Sequence, residues 1–198
     1  VATLSEQYQT LRRQSATGKL RVSPCRDLAG RPVLVMAPRY ENAHGDHVGN
    51  LVNLVYHLER ATGGRTLREQ GSESPDGKII VIMDFRGYSV FNAPPMKTTK
   101  ATLEILQNHY PERLHKFCIL NAPTLFYVLW RTLSPFIDPV TRAKVQFIVG
   151  SHAEQRALLS ETFDCVELEQ SLGGERSFDW NPVAYFAEDT GFSVDECV

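Results

Sequence analysis

The 198-residue chain has room for one compact domain with a small appendage, and its 42% hydrophobic content suffices to bury a core without disulfide or metal staples. A formal net charge of -2 gives no overall bias toward nucleic acid, and a charged fraction of 22% is ordinary for a globular protein. No uncharged run reaches the roughly 18–20 residues of a membrane-spanning helix, and no signal-peptide pattern opens the chain. Cys25, Cys118, Cys165 and Cys197 lie far apart with no C-x-x-C pair, which fits a reducing compartment. The first residue is Val1 rather than Met, as in a piece of a longer protein.

In chain order, residues 3–14 read as a helix that ends in the turn-prone SATGK. After a turn at Gly30-Arg31-Pro32, RPVLVMAP (31–38) has the continuous apolar centre of a buried strand. Leu51, Val52, Leu54, Val55 and Leu58 give helical spacing over 45–61, and 63–77 is a polar Gly/Ser-rich loop. KIIVIMDF (78–85) is the clearest strand, and its unbroken apolar run places it centrally with both faces covered. A helix over 99–110 stops at Pro111, and FCILNAP (117–123) is the next strand. A helix follows from residue 124, then a short turn or helix at 138–144, a strand at 145–150, a helix at 153–161 and a short helix within 180–191. Strands alternating with helices define an α/β protein.

The familiar catalytic signatures are missing from the sequence: no G-x-S-x-G, no Walker-type loop, no G-x-G-x-x-G. His44 and His47 flank Asp46 with a spacing that does not suit zinc on a helix, and no third ligand is evident; a solvated cluster at a helix start is the plainer reading. Cys25 and Arg31 have the C-x5-R spacing of a cysteine phosphatase. That chemistry requires a low-pKa thiolate and a helix N-terminus after the loop, whereas here Pro32 and a strand follow. A turn entering a strand accounts for the segment better, and Asp84, at a strand end without a base or metal partner, reads as structural.

The run Leu125–Trp130 is Leu-Phe-Tyr-Val-Leu-Trp, with no charge and no polar face, and Leu133, Phe136 and Ile137 extend it. A helix that follows a strand lies on a sheet face and leaves its outer side wet. Such a helix is therefore buried on all sides, or meets the sheet or a hydrophobic ligand inside and a membrane outside.

HYPERLHKFCILNAPTLFYVLWRTLSPFIDPVTRAKVQFIV (109–149) resembles the signature region of the CRAL-TRIO lipid-binding family, of the phosphatidylinositol/phosphatidylcholine-transfer type. GKLRVSPCRDLAGRPVLVMAPRYEN (18–42) resembles the family's entry strands, IVIMDFRGYS (80–89) its central strand, and LEQSLGG (168–174) its L-P-x-x-L-G-G element, here without the proline. The resemblance implies a mixed, mostly parallel sheet flooring an apolar pocket under a mobile helical gate at about 124–144. Residues 18–198 would form this lipid-binding domain, and 1–17 would be the remnant of a preceding helical region.

It also implies a bound phospholipid, most simply phosphatidylinositol, instead of a cofactor or metal. Lipid transfer without enzymatic chemistry, a cytoplasmic and peripherally membrane-associated location, and no nucleic-acid partner go with it. By the family's pattern Glu112, Thr141 and Lys144 would meet the head group. Gate residues Phe126, Leu129, Trp130, Leu133 and Phe136 and sheet residues Ile80, Ile82, Phe117 and Ile119 are candidates for the pocket; which member of each alternating pair faces it is left open. The alternative is a lipid-regulated interaction module within a larger signalling protein, with lipid kinases or signalling proteins as partners.

Overall fold

In the computed structural model, residues 4–63, 74–89, 91 and 93–190 are described. Most of the loop expected at 63–77 lies outside them. Five strands form one sheet in the order β1-β2-β3-β4-β5: β1 (Leu20–Arg26), β2 (Pro32–Met36), β3 (Ile79–Asp84), β4 (Leu114–Leu120) and β5 (Val145–Ile148). β1 runs antiparallel to β2, and β2 to β5 are mutually parallel. β1 is an edge, which tolerates Pro24 where the register shifts between Val22 and Arg26.

Helix α2 (His47–Ala61) links β2 to β3, α3 (Met96–His109) links β3 to β4, and α4 (Thr124–Leu133) with α5 (Pro139–Ala143) links β4 to β5. Parallel strands added in one direction through crossovers of one hand put all their helices on one face. Accordingly Leu54, Leu58 and Ala61 of α2 pack with Leu34 and Ile79, and Ile105 and Leu106 of α3 join the same cluster. The opposite face is closed by α6 (His152–Ser160) and the segment after it, where Leu159, Phe163, Leu168 and Leu172 pack on Val33, Val35, Ile80, Ile82, Cys118, Leu120 and Ile148. Helix α1 (Leu4–Ser15) lies against α2, and Phe186 of α7 (Pro182–Thr190) meets Tyr8 and Tyr56.

Local chemistry explains most boundaries. Asp46 caps α2 by accepting from the Gly49 amide, and Ser151 and Glu154 form a capping box on α6. Strand β4 ends three residues before the expected 123, because Asn121 takes a left-handed φ of 54° and Pro123 carries no donor. Its start at Leu114, among polar residues, is set by pairing with β3.

The segment 168–174 keeps its turn without the proline. Gly173 has φ 99°, and a Cβ on Gly174 would lie 2.0 Å from the Leu168 carbonyl oxygen. Where the proline would stand, Glu169 is fully buried; it accepts from Arg21, from Ser23 Oγ at 2.8 Å and from Ser171 Oγ at 3.0 Å. Such a carboxylate is tolerable inside because its oxygens are paired.

Candidate functional site

Strand alternation sorts the sheet candidates. Ile80 and Ile82, both 0% exposed, point into the closed core under α6. Their candidacy as pocket residues is corrected: side chains alternate faces, and theirs is the face away from α4. Phe117 and Ile119 alternate with the core residues Cys118 and Leu120 and so take the α4 face. Phe117 pairs in register with Val81 and Val145, and Ile119 with Met83 and Phe147. Ile119 is fully buried, but Met36, Val81, Met83, Phe117, Val145 and Phe147 are only partly so. Apolar side chains on central strands β2, β3 and β4 are thus sealed on one face, while on the other Leu34, Ile79 and Ile119 are buried and Met36, Val81, Met83 and Phe117 are only partly covered.

Helix α4 crosses that open face. Phe126 lies 4.7 Å from the Phe85 ring and 6.2 Å from Phe147, Tyr127 stacks on Phe147 at 4.8 Å, and Trp130 meets it edge-on at 6.0 Å. Phe126 and Trp130, four residues apart, share the inner face. Leu125 and Val128, 61% and 60% exposed, lie on the outer side of α4, and Val140 of α5 is likewise exposed. A helix apolar on both sides is therefore wet on one of them, as its place on a sheet surface requires. The side chains of Leu129, Leu133 and Phe136 lie outside what the structure describes. Phe85 and Phe147, not singled out in the sequence, anchor the helix. The period-two pattern of V-Q-F-I puts Val145 and Phe147 on one face but cannot say which.

Two of the three polar candidates, Glu112 and Lys144, meet at the opposite end of the connection. Helix α5 begins with Asp138, which accepts from the Thr141 amide at 2.9 Å, followed by Pro139 at a position where a donor is not needed. Lys144 ends it, its amide donating to the Thr141 carbonyl at 3.1 Å. Pairing of β4 with β5 then carries Lys144 to the turn before β4: the Phe117 amide donates to the Lys144 carbonyl at 2.9 Å. Lys144 Nζ stands 3.7 Å from Glu112 Oε2, with side-chain exposures of 18% and 77%. Glu112 follows Pro111 in a turn closed by the Arg113 amide on the Tyr110 carbonyl, and it holds a left-handed φ of 58°. Thr141, partly buried, lies one helical turn before Lys144 in α5. A half-buried ammonium with one loosely held, solvated partner retains donor capacity for an anion.

The phosphatase reading fails on geometry. Cys25 lies within β1, 1% exposed, and burial pushes its thiol up to about 11, the reverse of what a nucleophile needs. Arg31 pairs with Asp27 and Asp76, both at 2.9 Å, and the Ala29 and Arg31 amides donate to Asp27 Oδ1, so the loop's donors are already engaged. His47 Nδ1 bonds Thr98 Oγ1 at 3.0 Å, and among the described residues no group of three or more His, Cys, Asp or Glu could hold a metal. No helix among them is long and apolar enough to cross a membrane.

Comparison with known proteins identifies the family and the fold. Residues 17–174 match the family model of the CRAL/TRIO domain. A phosphatidylinositol transfer protein, PDR17 of Saccharomyces cerevisiae, is 35% identical over 126 residues, 61% of this chain and 34% of that protein. The SEC14 cytosolic factor of Candida glabrata is 33% identical over 111 residues, 56% of this chain and 36% of that protein. A CRAL-TRIO domain-containing protein of Schizosaccharomyces pombe is 29% identical over 178 residues, 90% of this chain but 16% of that protein. The matched stretches span about a third or less of these relatives. The crystal structure of Sfh5 superposes with a TM-score of 0.52 at 17% identity, covering 71% of this chain and 55% of that one, which supports the fold.

Proposed function

The chain belongs to the CRAL/TRIO domain family, and from that premise we propose that it holds a phospholipid between the open sheet face and α4 and exchanges it at membranes. The observation that carries this reading is the asymmetry toward the end of β3: Ile80 and Ile82 are sealed, while Val81 and Met83, which alternate with them, stay partly exposed beneath the helices. Well-packed domains close both faces of central parallel strands. The part of this face that α2 and α3 leave incompletely covered is lined with Met83, Val81, Phe117 and Phe147, which suits acyl chains.

Each methylene kept from water is worth about 0.8 kcal/mol, so a two-chain lipid released through water would face a barrier of many kcal/mol. A carrier must shield the chains in transit and open only against a bilayer. The exposed outer face of α4 supplies an apolar contact for that step. We assign Lys144 to the lipid phosphate, Thr141 to a hydroxyl hydrogen bond and Glu112 to sugar hydroxyls, which makes phosphatidylinositol the preferred lipid. Phe117, Ile119, Phe126 and Trp130 stand as wall residues. No covalent step is needed, and peripheral association from the cytoplasmic side follows from the same reading. The similarity to PDR17, which is described as a phosphatidylinositol transfer protein, supports it.

Mass spectrometry of the organic extract of purified protein tests the proposal. Co-purified phospholipid, and transfer of fluorescent phosphatidylinositol between phosphatidylcholine vesicles, are expected. A protein that retains no lipid and moves none overturns it. The Schizosaccharomyces pombe relative, of which the matched stretch is 16%, favours a second reading in which the domain senses lipid inside a larger protein and recruits lipid kinases or signalling proteins. Lipid retention without transfer would select that reading.

A further inference from the structure

Three serines in the chain precede a proline: Ser23, Ser74 and Ser134. Ser23 is 6% exposed inside β1, and its Oγ donates to the buried Glu169 at 2.8 Å. The Ser74 hydroxyl is engaged by the Lys78 carbonyl at 2.5 Å and lies 3.2 Å from Asp76 Oδ1, where a second anion would be repelled. Ser134 stands in neither situation. Among the described residues its hydrogen bonds are all made by the backbone: its amide donates to the Trp130 carbonyl, and its carbonyl accepts from the Ile137 amide at 3.2 Å and from Arg142 Nη1 at 3.4 Å. The hydroxyl is left unused.

The surroundings of Ser134 are basic. Arg131 lies three residues earlier, and Ser134 continues the helical backbone of α4 at φ -57° and ψ -30°, so the two side chains share a face. Arg142 of α5 reaches back to the same residue, and both arginines are exposed. Over 124–144 the basic residues are Arg131, Arg142 and Lys144, against one acid, Asp138, whose carboxylate caps α5. Pro135 is exposed and has no amide to donate, so the regular bonding of α4 stops there in one 3-10 turn, Ser134–Phe136. Drawing out so short a turn breaks few backbone bonds.

We propose that Ser134 is a phosphorylation site for a protein kinase that reads proline after the acceptor, and that its phosphate is held by Arg131 and Arg142 and weakens the contact of this surface with anionic bilayers. The inference rests on the reading above in which this side of the protein meets a membrane. In the transfer, Ser134 Oγ attacks the γ-phosphorus of a nucleoside triphosphate bound to the kinase. The new O–P bond forms as the bond to the β-phosphate oxygen breaks, the nucleoside diphosphate leaves, and the hydroxyl proton passes to a carboxylate base of the kinase. The product carries a charge of about -1.5 to -2 and three acceptor oxygens that suit paired guanidiniums. The dipole of α4 disfavours an anion at this end, and the two arginines offset it. Once paired with the phosphate, they no longer attract anionic lipid.

Incubation of the purified protein with a proline-directed serine/threonine kinase and magnesium-ATP, followed by peptide mass mapping, tests the site. Phosphate at Ser134 in preference to Ser74 and Ser23 is expected, and Ser134→Ala should abolish most of the incorporation. No incorporation at Ser134, or Ser74 labelled ahead of it in folded protein, overturns the proposal. Co-sedimentation tests the consequence. Phosphorylation should lower binding to phosphatidylcholine/phosphatidylserine vesicles about tenfold or more, and change binding to pure phosphatidylcholine by no more than about twofold. Undiminished binding to the charged vesicles, or equal loss on both, rejects the effect assigned to the phosphate. Arg131→Gln with Arg142→Gln should weaken binding to the charged vesicles by itself, and phosphorylation of that double variant should add little. A full further loss there would show that the phosphate does not act through the two arginines. Phosphate accepted at Ser134 by a parent protein that binds neither vesicle and carries no phosphatidylinositol between vesicles keeps the site and rejects the membrane reading.

Discussion

Lys144 Nζ lies 3.7 Å from Glu112 Oε2, across the adjacent starts of β5 and β4. The two residues come from separate turns, and only strand pairing makes them neighbours. Lys144→Ala is expected to lower phosphatidylinositol transfer about tenfold or more, since a charge-assisted hydrogen bond is at stake, and to spare phosphatidylcholine. Paired vesicle assays with the two labelled lipids check it. Equal loss for both would reject the head-group role.

Glu112 stands in a left-handed turn position where glycine is at ease. Glu112→Gly relieves the backbone and removes an exposed partner of little energetic value, so folding stability should hold or rise by up to about 1 kcal/mol. Inositol-lipid binding should weaken nonetheless. Thermal melts beside lipid-binding titrations separate the two effects, and a clear loss of stability would show that the carboxylate serves the fold instead.

Leu125 and Val128 are exposed and touch no core cluster in the described structure. Leu125→Glu with Val128→Glu should change stability by no more than about 1 kcal/mol. Co-sedimentation with phosphatidylcholine vesicles and transfer between them should both fall several-fold. Undiminished transfer would remove the outer face of α4 from the mechanism.

His57 is fully buried, and its Nδ1 donates to the Asn53 carbonyl at 2.7 Å, leaving Nε2 without a partner. Burial lowers its pKa from 6.5 to about 3. Between those values the unfolded chain binds the extra proton, so stability rises with pH across that window and is lost as pH falls from about 6.5 toward 3. The slope is at most about 1.4 kcal/mol per pH unit. His57→Phe keeps a ring against Tyr185 and should flatten the acid limb of a melting profile relative to the parent. Parallel profiles would show that the imidazole does not titrate there.

Cys25→Ser tests the chemistry that the geometry rejects. The hydroxyl enters a closed core, so stability should fall by about 1–3 kcal/mol. Any phosphomonoesterase signal in the preparation should be the same with and without the thiol. Activity lost with Cys25 in a folded variant would reinstate the enzyme reading.

Much of the fold was legible because it is written in neighbouring residues. The apolar run of 79–83 marks a central strand, Pro111 ends a helix, and the residues of D-P-x-T-x-x-K start and finish α5 in order. The motif pattern over 109–149 identified the family, and the greasy sequence of 125–130 marked a helix with two apolar sides. These signals are local: periodicity, capping and turn chemistry act within a few residues.

Tertiary structure alone decided which side of each strand is sealed. A period of two gives two faces with equal right to the core, so Ile80 and Ile82 could not be told from Val81 and Met83 until α6 closed over the first pair. Strand order likewise brought Glu112 to Lys144 and Asp84 to Asn121, over 32 and 37 positions of chain. Contacts at that separation depend on how strands are paired across the sheet, which no stretch of neighbouring residues encodes.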